Sequence, residues 1–245
     1  MVISLSTVVI NLVVKIVAVY LISLIRIDTE SLQASFITIL VFLSYYFNTG
    51  WLIILADANM KGQGYYLERL FTGRLSDFSM DWYRKEGHIL TQTMLINAFV
   101  PAITDLSLMA VRALMRYKDK KFSKNGLTSC TSRQQYIELY SGPEFLMHVR
   151  YSYLMNTIFV TMMFGTTLPI LFPIAFLSIF LVNLFENFML FYVYRLPISY
   201  DGTLHKTVLR YMKYASLVSF AFNFWQISNQ GLLNYQIYDE DEQIA

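Results

Sequence analysis

Two apolar runs joined by a tight turn constrain this chain more than any other feature. They cover residues 148–168 and 170–194 and meet at Gly165-Thr166-Thr167-Leu168-Pro169. Each supplies the ~20 residues that a helix rising 1.5 Å per residue needs to cross ~30 Å of hydrocarbon. Proline lacks a backbone donor and is tolerated where a helix begins, so Pro169 is expected in the first turn of the second helix. The far end, Phe191-Tyr-Val-Tyr-Arg-Leu-Pro197, is aromatic and basic, as at a headgroup boundary. The pair reads as a transmembrane hairpin.

Composition extends that reading to the whole chain. It is 56% hydrophobic and 15% charged, against about a quarter charged in soluble domains. Further apolar spans are expected at 5–25, 32–56, 88–114 and 207–225, giving an all-α polytopic bundle of about six membrane-spanning helices in one domain, 1–245. Span 5–25 is too long, and too poor in preceding positive charge, for a cleaved signal peptide. The single cysteine, Cys130, rules out a disulfide within the chain.

Basic residues orient the bundle. Arg112, Arg116, Lys118, Lys120, Lys121, Lys124, Arg133 and Arg150 cluster in or beside the loop 116–138, Arg195, Lys206, Arg210 and Lys213 follow span five, and Arg26 after span one falls on the same side. The opposite side has only Lys61, Arg69, Arg74, Arg84 and Lys85. An excess of Lys and Arg marks the cytoplasmic side, so the loop 116–138 is placed there. The run Lys118–Lys124 is interrupted by Asp119 and Phe122 and suits the inner leaflet better than a nucleic acid. The lipid bilayer is thus the expected partner.

Polar groups at membrane depth are the functional candidates, because burying them there is costly without a partner. Asn97, Pro101 and Asp105 lie four residues apart on one helix face. Pro101 removes the hydrogen bond to the Asn97 carbonyl and kinks the helix. The freed carbonyl, the amide and the carboxylate would suit a hydrated cation pathway; the alternative is an Asp105 paired with an arginine or capped locally. Asn48 and Asn156 are further pathway candidates, or amides that bond a neighbouring helix. Asn183, Glu186 and Asn187 form either a site for a hard cation or a helix-packing cluster. Gly50, Pro101 and Gly165 are hinge candidates, with close packing the alternative for the two glycines. Lys15 should face the bundle interior, toward Asp105 or Glu186.

Enzyme chemistry finds no support in the motifs. His88, His148 and His205 are far apart, with no HExxH or Cys/His cluster, and no phosphate-binding glycine loop or Gly-x-Ser-x-Gly elbow occurs. The chain is read as a non-enzyme without a cofactor, and its metal sites are unknown.

The Gly142-Pro143 pair before an aromatic-rich span, the proline-bearing turn LPILFPIAF and the closing run MLFYVYR resemble the osmosensitive, calcium-permeable, stress-gated (OSCA-type) cation channels, distant relatives of the anoctamins. The likeness covers about 60 residues well and perhaps 100 more loosely, in the latter part of that family's seven-helix channel region. The resemblance implies a mechanically or osmotically gated non-selective cation channel of the plasma membrane, with calcium as a permeant or regulatory ion. Partners would be cations and a second copy or a related channel subunit. Family members are much longer, so the chain reads as a truncated or divergent member. A lipid scramblase and a non-conducting scaffold for a full-length channel are the alternatives.

Overall fold

The structure is a computed structural model that describes residues 29–56, 80–121, 130–195 and 202–228, with positions 17, 20, 78 and 128. Lys15, most of the expected span 5–25, the segment 57–77 and the acidic C-terminal tail lie outside the described residues. Among the described residues every regular element is a helix. In chain order these are α1 (Glu30–Tyr46), α2 (Leu52–Ala56), α3 (Met80–Trp82), α4 (His88–Lys121), α5 (Arg133–Tyr140), α6 (Met147–Phe164), α7 (Leu171–Tyr192), α8 (Thr203–Met212) and α9 (Tyr214–Ile227). Wide π-helical turns, Phe47–Trp51 and Tyr83–Gly87, join α1 to α2 and α3 to α4.

Three helical stretches are long and apolar enough to cross a membrane: Ser31–Leu55, Met80–Lys120 and Leu171–Tyr192. The second exceeds expectation. At 1.5 Å per residue, α4 alone runs about 50 Å, well beyond the ~30 Å hydrocarbon layer. The start of the polar loop 116–138 is therefore the projecting end of α4, and its last part belongs to α5.

α6 is the hub. It packs against α1, α7, α8 and α9, while α4 packs on α7. Ten of its 18 residues are buried, including Ser152, Asn156, Thr157 and Thr161. The Ser152 hydroxyl lies 2.8 Å from the Thr38 carbonyl, a contact that small residues on both helices allow. Phe42, Tyr46 and Phe159 interlock above it, with ring centroids 4.8–5.9 Å apart. α7 is the opposite case. It buries only Leu171, Ile174, Ala175, Ser178 and Met189, and turns Phe172, Phe176, Phe180, Phe188 and Phe191 outward. An apolar face of that extent is unsuited to water and matches acyl chains.

The hairpin turn differs in detail from the sequence expectation. α7 begins at Leu171, so Pro169 precedes the helix and Pro173 occupies its first turn. The first N–H groups of a helix have no intrahelical acceptor, so Pro173 forfeits nothing there. Gly165 caps α6; a Cβ at that position would sit 2.7 Å from the Phe172 ring. Gln226 on α9, fully buried, pins the turn through Thr167 (2.6 Å) and the Met163 carbonyl (3.4 Å).

The expected span 207–225 is not one helix. It divides at Lys213 into α8 and α9, with 10 and 14 residues, each too short for ~30 Å at 1.5 Å per residue. α8 buries Leu204 and Val208 against α1 and exposes Lys206 and Arg210. Such an amphipathic basic helix suits a headgroup boundary.

α5 is held at both ends. Ser132 Oγ accepts from the Gln134 N–H at its start. At its end, Arg116 donates to the Leu139 and Tyr140 carbonyls (3.0 and 3.1 Å), and Arg112 donates to the Ser141 carbonyl (2.9 Å). Cations are favoured at a helix C-terminus. Two of the arginines counted toward the expected orientation thus fasten α5 to α4. Asp119, also buried, accepts from Thr128 and from the Tyr140 hydroxyl. That hydrogen bond and the carboxylate's charge raise the Tyr140 phenol above its ordinary pKa.

Just after α5, Gly142 passes so close to the Val193 carbonyl that a Cβ would collide with backbone. The adjoining Arg195 N–H donates to the Pro143 carbonyl (3.2 Å). Gly142→Ala is expected to destabilise the purified protein by about 1–3 kcal/mol through overpacking. Gly202→Ala, with nothing within 4 Å of the added carbon, should leave it nearly unchanged. Denaturant melts of the two variants in detergent check this.

Candidate functional site

Charged groups meet where α4, α6 and α7 come together. Asp105 projects from α4, Arg150 from the first turn of α6 and Glu186 from α7. Arg150 Nη2 donates to both Asp105 oxygens, at 2.6 and 2.7 Å. Its Nε lies 3.3 Å from Glu186 Oε1. Tyr194, just past α7, donates to Asp105 Oδ1 (2.9 Å), and its oxygen accepts from Arg150 (2.9 Å). Asp105 is 2% exposed. Phe145 packs edge-on to Tyr194 and lies under the guanidinium.

In this structure the Asp105 carboxylate is paired with Arg150 and buried. Arg150 reaches it from the first turn of α6. Arg150, grouped in sequence with the expected cytoplasmic loop charges, is instead a partly buried counter-ion of Asp105 and Glu186. An arginine suits this place, because its planar fork serves several carboxylate oxygens at once. The interaction gains strength in a low dielectric but must offset desolvation of every ion, so the cluster is a constraint on geometry before it is a source of stability.

Asn97 and Pro101 enter the same site by another route. α4 continues through Pro101, which lacks the N–H that would bond the Asn97 carbonyl. The Tyr153 hydroxyl of α6 donates to that carbonyl instead and also bonds Ser178 of α7 (2.8 Å). The vacancy made by the proline is filled from a neighbouring helix, as membrane helices require. Beside it lies a cavity of about 120 Å³, lined among others by Tyr45, Pro101, Thr104, Asp105, Arg150 and Tyr153.

The remaining candidates lie elsewhere. Asn48 and Gly50 are buried in the π-helical turn after α1, where Gly50 faces Met163. Asn156 is buried in α6, and its Oδ1 has no hydrogen-bond partner among the described residues. Asn183 and Asn187 bond each other (3.2 Å) on the exposed side of α7, while Glu186 turns toward Arg150. The three do not converge on one point. Among the described residues, no group of three or more His, Cys, Asp or Glu is placed to hold a metal ion. Asp105 and Glu186 share Arg150; Lys15, expected to face one of them, lies outside the described residues.

Sequence reasoning missed Arg150, Tyr153 and Tyr194 as site residues. The available signal was an arginine inside an apolar run that also contains Tyr153, opposite two spans that each carry one carboxylate.

No protein-family model matches the chain, no curated protein is detectably similar to it, and no solved structure matches its fold.

Tyr153→Phe should cost about 1–3 kcal/mol by leaving the Asn97 carbonyl unpaired. In a Pro101→Ala background, where residue 101 regains its N–H, the same change should cost much less. A double-mutant cycle of unfolding in detergent micelles measures the difference.

Proposed function

We propose that this chain is a channel-type membrane protein in which the α4–α6–α7 seam is a closed path for small cations, latched by the Arg150 cluster. The observation that carries this reading is the ion pair of Asp105 with Arg150, next to a cavity and between stretches apolar enough to lie in a membrane. Ionisable groups at such depth are costly and tend to mark ion pathways, relays or sensors. The resemblance to stress-gated, calcium-permeable cation channels points the same way and suggests membrane tension as the stimulus.

In this reading six spans form the bundle: span 5–25, the three long apolar stretches, α6, and α8 with α9 as a broken sixth. The protein sits in the plasma membrane with the basic α4–α5 connection in the cytoplasm. In the closed conformation, Arg150 neutralises the carboxylates and no ion passes. Tension favours the conformation with larger area in the membrane. Separation of α4 from α6, with bending at Gly50, Pro101 or Gly165, would remove Arg150 from Asp105 and Glu186. Two carboxylates and the Asn97 carbonyl would then line the hydrated seam and select cations.

Patch recording from liposomes under graded suction tests the proposal. The wild type should pass stretch-evoked cation current. Arg150→Gln, which removes the latch, should raise the open fraction at a fixed subsaturating suction by at least about tenfold, equivalent to about 1.4 kcal/mol. Asp105→Asn should reduce calcium permeation relative to potassium. Absence of current from the wild type and Arg150→Gln alike would overturn the channel reading. Labelled-lipid flipping without current would replace it with scrambling, and neither activity would leave a non-conducting scaffold.

A further inference from the structure

One outward stripe runs the length of α8 and α9 and changes character part-way. Lys206, Arg210 and Lys213 stand four and three residues apart, and Leu217, Phe220, Phe224 and Ile227 continue the same alternation. Residues at these spacings share a helix face. Lys213, at the join, keeps near-helical dihedrals (φ −59°, ψ −25°), so the register carries from one helix into the next. All of these side chains are exposed. Leu204 and Val208 are buried on the opposite face, where α8 packs on α1 and α6.

The basic half has no counter-charge close by. No Asp or Glu occurs between Asp201 and Asp239, and among the described residues none of the three cations is in an ion pair. Lys213 lies instead over the Tyr214 ring, 5.2 Å from its centre. Tyr211 and Tyr214, both exposed, flank the join. Tyrosine collects at the headgroup level of a bilayer.

The apolar half has the depth of one lipid leaflet. From Leu217 to Ile227 a helix rises about 15 Å, half of the ~30 Å hydrocarbon core. Phe220, Phe224 and Ile227 also edge a groove of about 590 Å³ that α9 forms with Met162 of α6. An acidic soluble protein would complement the cations but leave the phenylalanines unmatched. A phospholipid complements both ends, with its phosphate by the cations and an acyl chain along the aromatic rings.

We propose that this stripe is a binding site for an anionic phospholipid. The headgroup sits among Lys206, Arg210 and Lys213, and an acyl chain follows Leu217, Phe220 and Phe224. The orientation expected from the basic residues makes this the cytoplasmic leaflet, where anionic lipids are concentrated. The site needs a bilayer around α9 but does not depend on the channel reading.

Photoactivatable lipids in liposomes holding the full chain test the site. Phosphatidylserine and phosphatidylcholine, each with the same diazirine-bearing acyl chain, are cross-linked and the labelled peptides mapped by mass spectrometry. Phosphatidylserine should label α9 at least about threefold more than phosphatidylcholine, since each Lys or Arg near the surface attracts anionic lipid. The excess should vanish in Lys206→Gln/Arg210→Gln/Lys213→Gln and shrink in about 1 M salt, where the screening length falls to about 3 Å. It should persist in Lys118→Gln/Lys120→Gln/Arg133→Gln, which removes the same amount of exposed charge from α4 and α5. Equal labelling by the two lipids in the wild type would overturn the proposal, as when another segment, such as the acidic residues 239–242, covers the cations. So would an excess that survives the α8 variant, or one lost equally from both variants. The wild-type comparison and its salt dependence decide the matter if the α8 variant does not fold. Selective labelling without stretch-evoked current would sink the channel reading alone. Current without selective labelling would sink the lipid site alone.

Discussion

An arginine that must satisfy carboxylates from two other helices leaves those helices few ways to pack. Arg150 reaches Asp105 on α4 and Glu186 on α7 from the first turn of α6, while Tyr194 joins the same oxygens from beyond α7. Removing one partner from a buried pair costs about 3–5 kcal/mol, because the other charge is then stranded. That asymmetry fixes depth and rotation for all three helices. Tyr153, three residues after Arg150, extends the same fastening to the carbonyl that Pro101 releases and to Ser178. Polar contacts from one face of α6 therefore set the seam that the proposed function uses.

The rest of the bundle is arranged around the same helix. α6 is less apolar than α7 yet buries ten of its 18 residues, against five of the 22 in α7. In water this order would be inverted. In a bilayer it follows directly: lipid tails are as apolar as leucine, so packing between helices relies on small residues and hydrogen bonds. Ser152 against Thr38, and Gln226 against Thr167 and Met163, are such contacts.

The helical class and the apolar stretches of α1, α4 and α7 were legible in the sequence, since length and apolar content are local properties. So was the carbonyl freed by Pro101, because the loss of one N–H is dictated by the residue itself. What answers that carbonyl was not legible: Tyr153 is remote in sequence and arrives by helix packing. Arg150 was misplaced for a related reason. Counting charges near helix ends treats every arginine as facing water, and one turn of helix is enough to turn it into the bundle. The break at Lys213 was hidden because neither proline nor glycine marks it in the sequence. Glu186 and the two asparagines were grouped by spacing, yet the helix separates them, Asn183 and Asn187 outward and Glu186 inward.

A latch built from charges has meaning only if those charges touch in lipid. Magic-angle-spinning NMR in bilayers, with ¹⁵N in the arginine side chains and ¹³C in the aspartate carboxyls, measures that contact directly. The account expects strong nitrogen-to-carbon transfer between Arg150 and Asp105, lost in Arg150→Gln, with slow exchange of the guanidinium protons with water. A guanidinium that exchanges rapidly and shows no transfer to any aspartate carboxyl would contradict it.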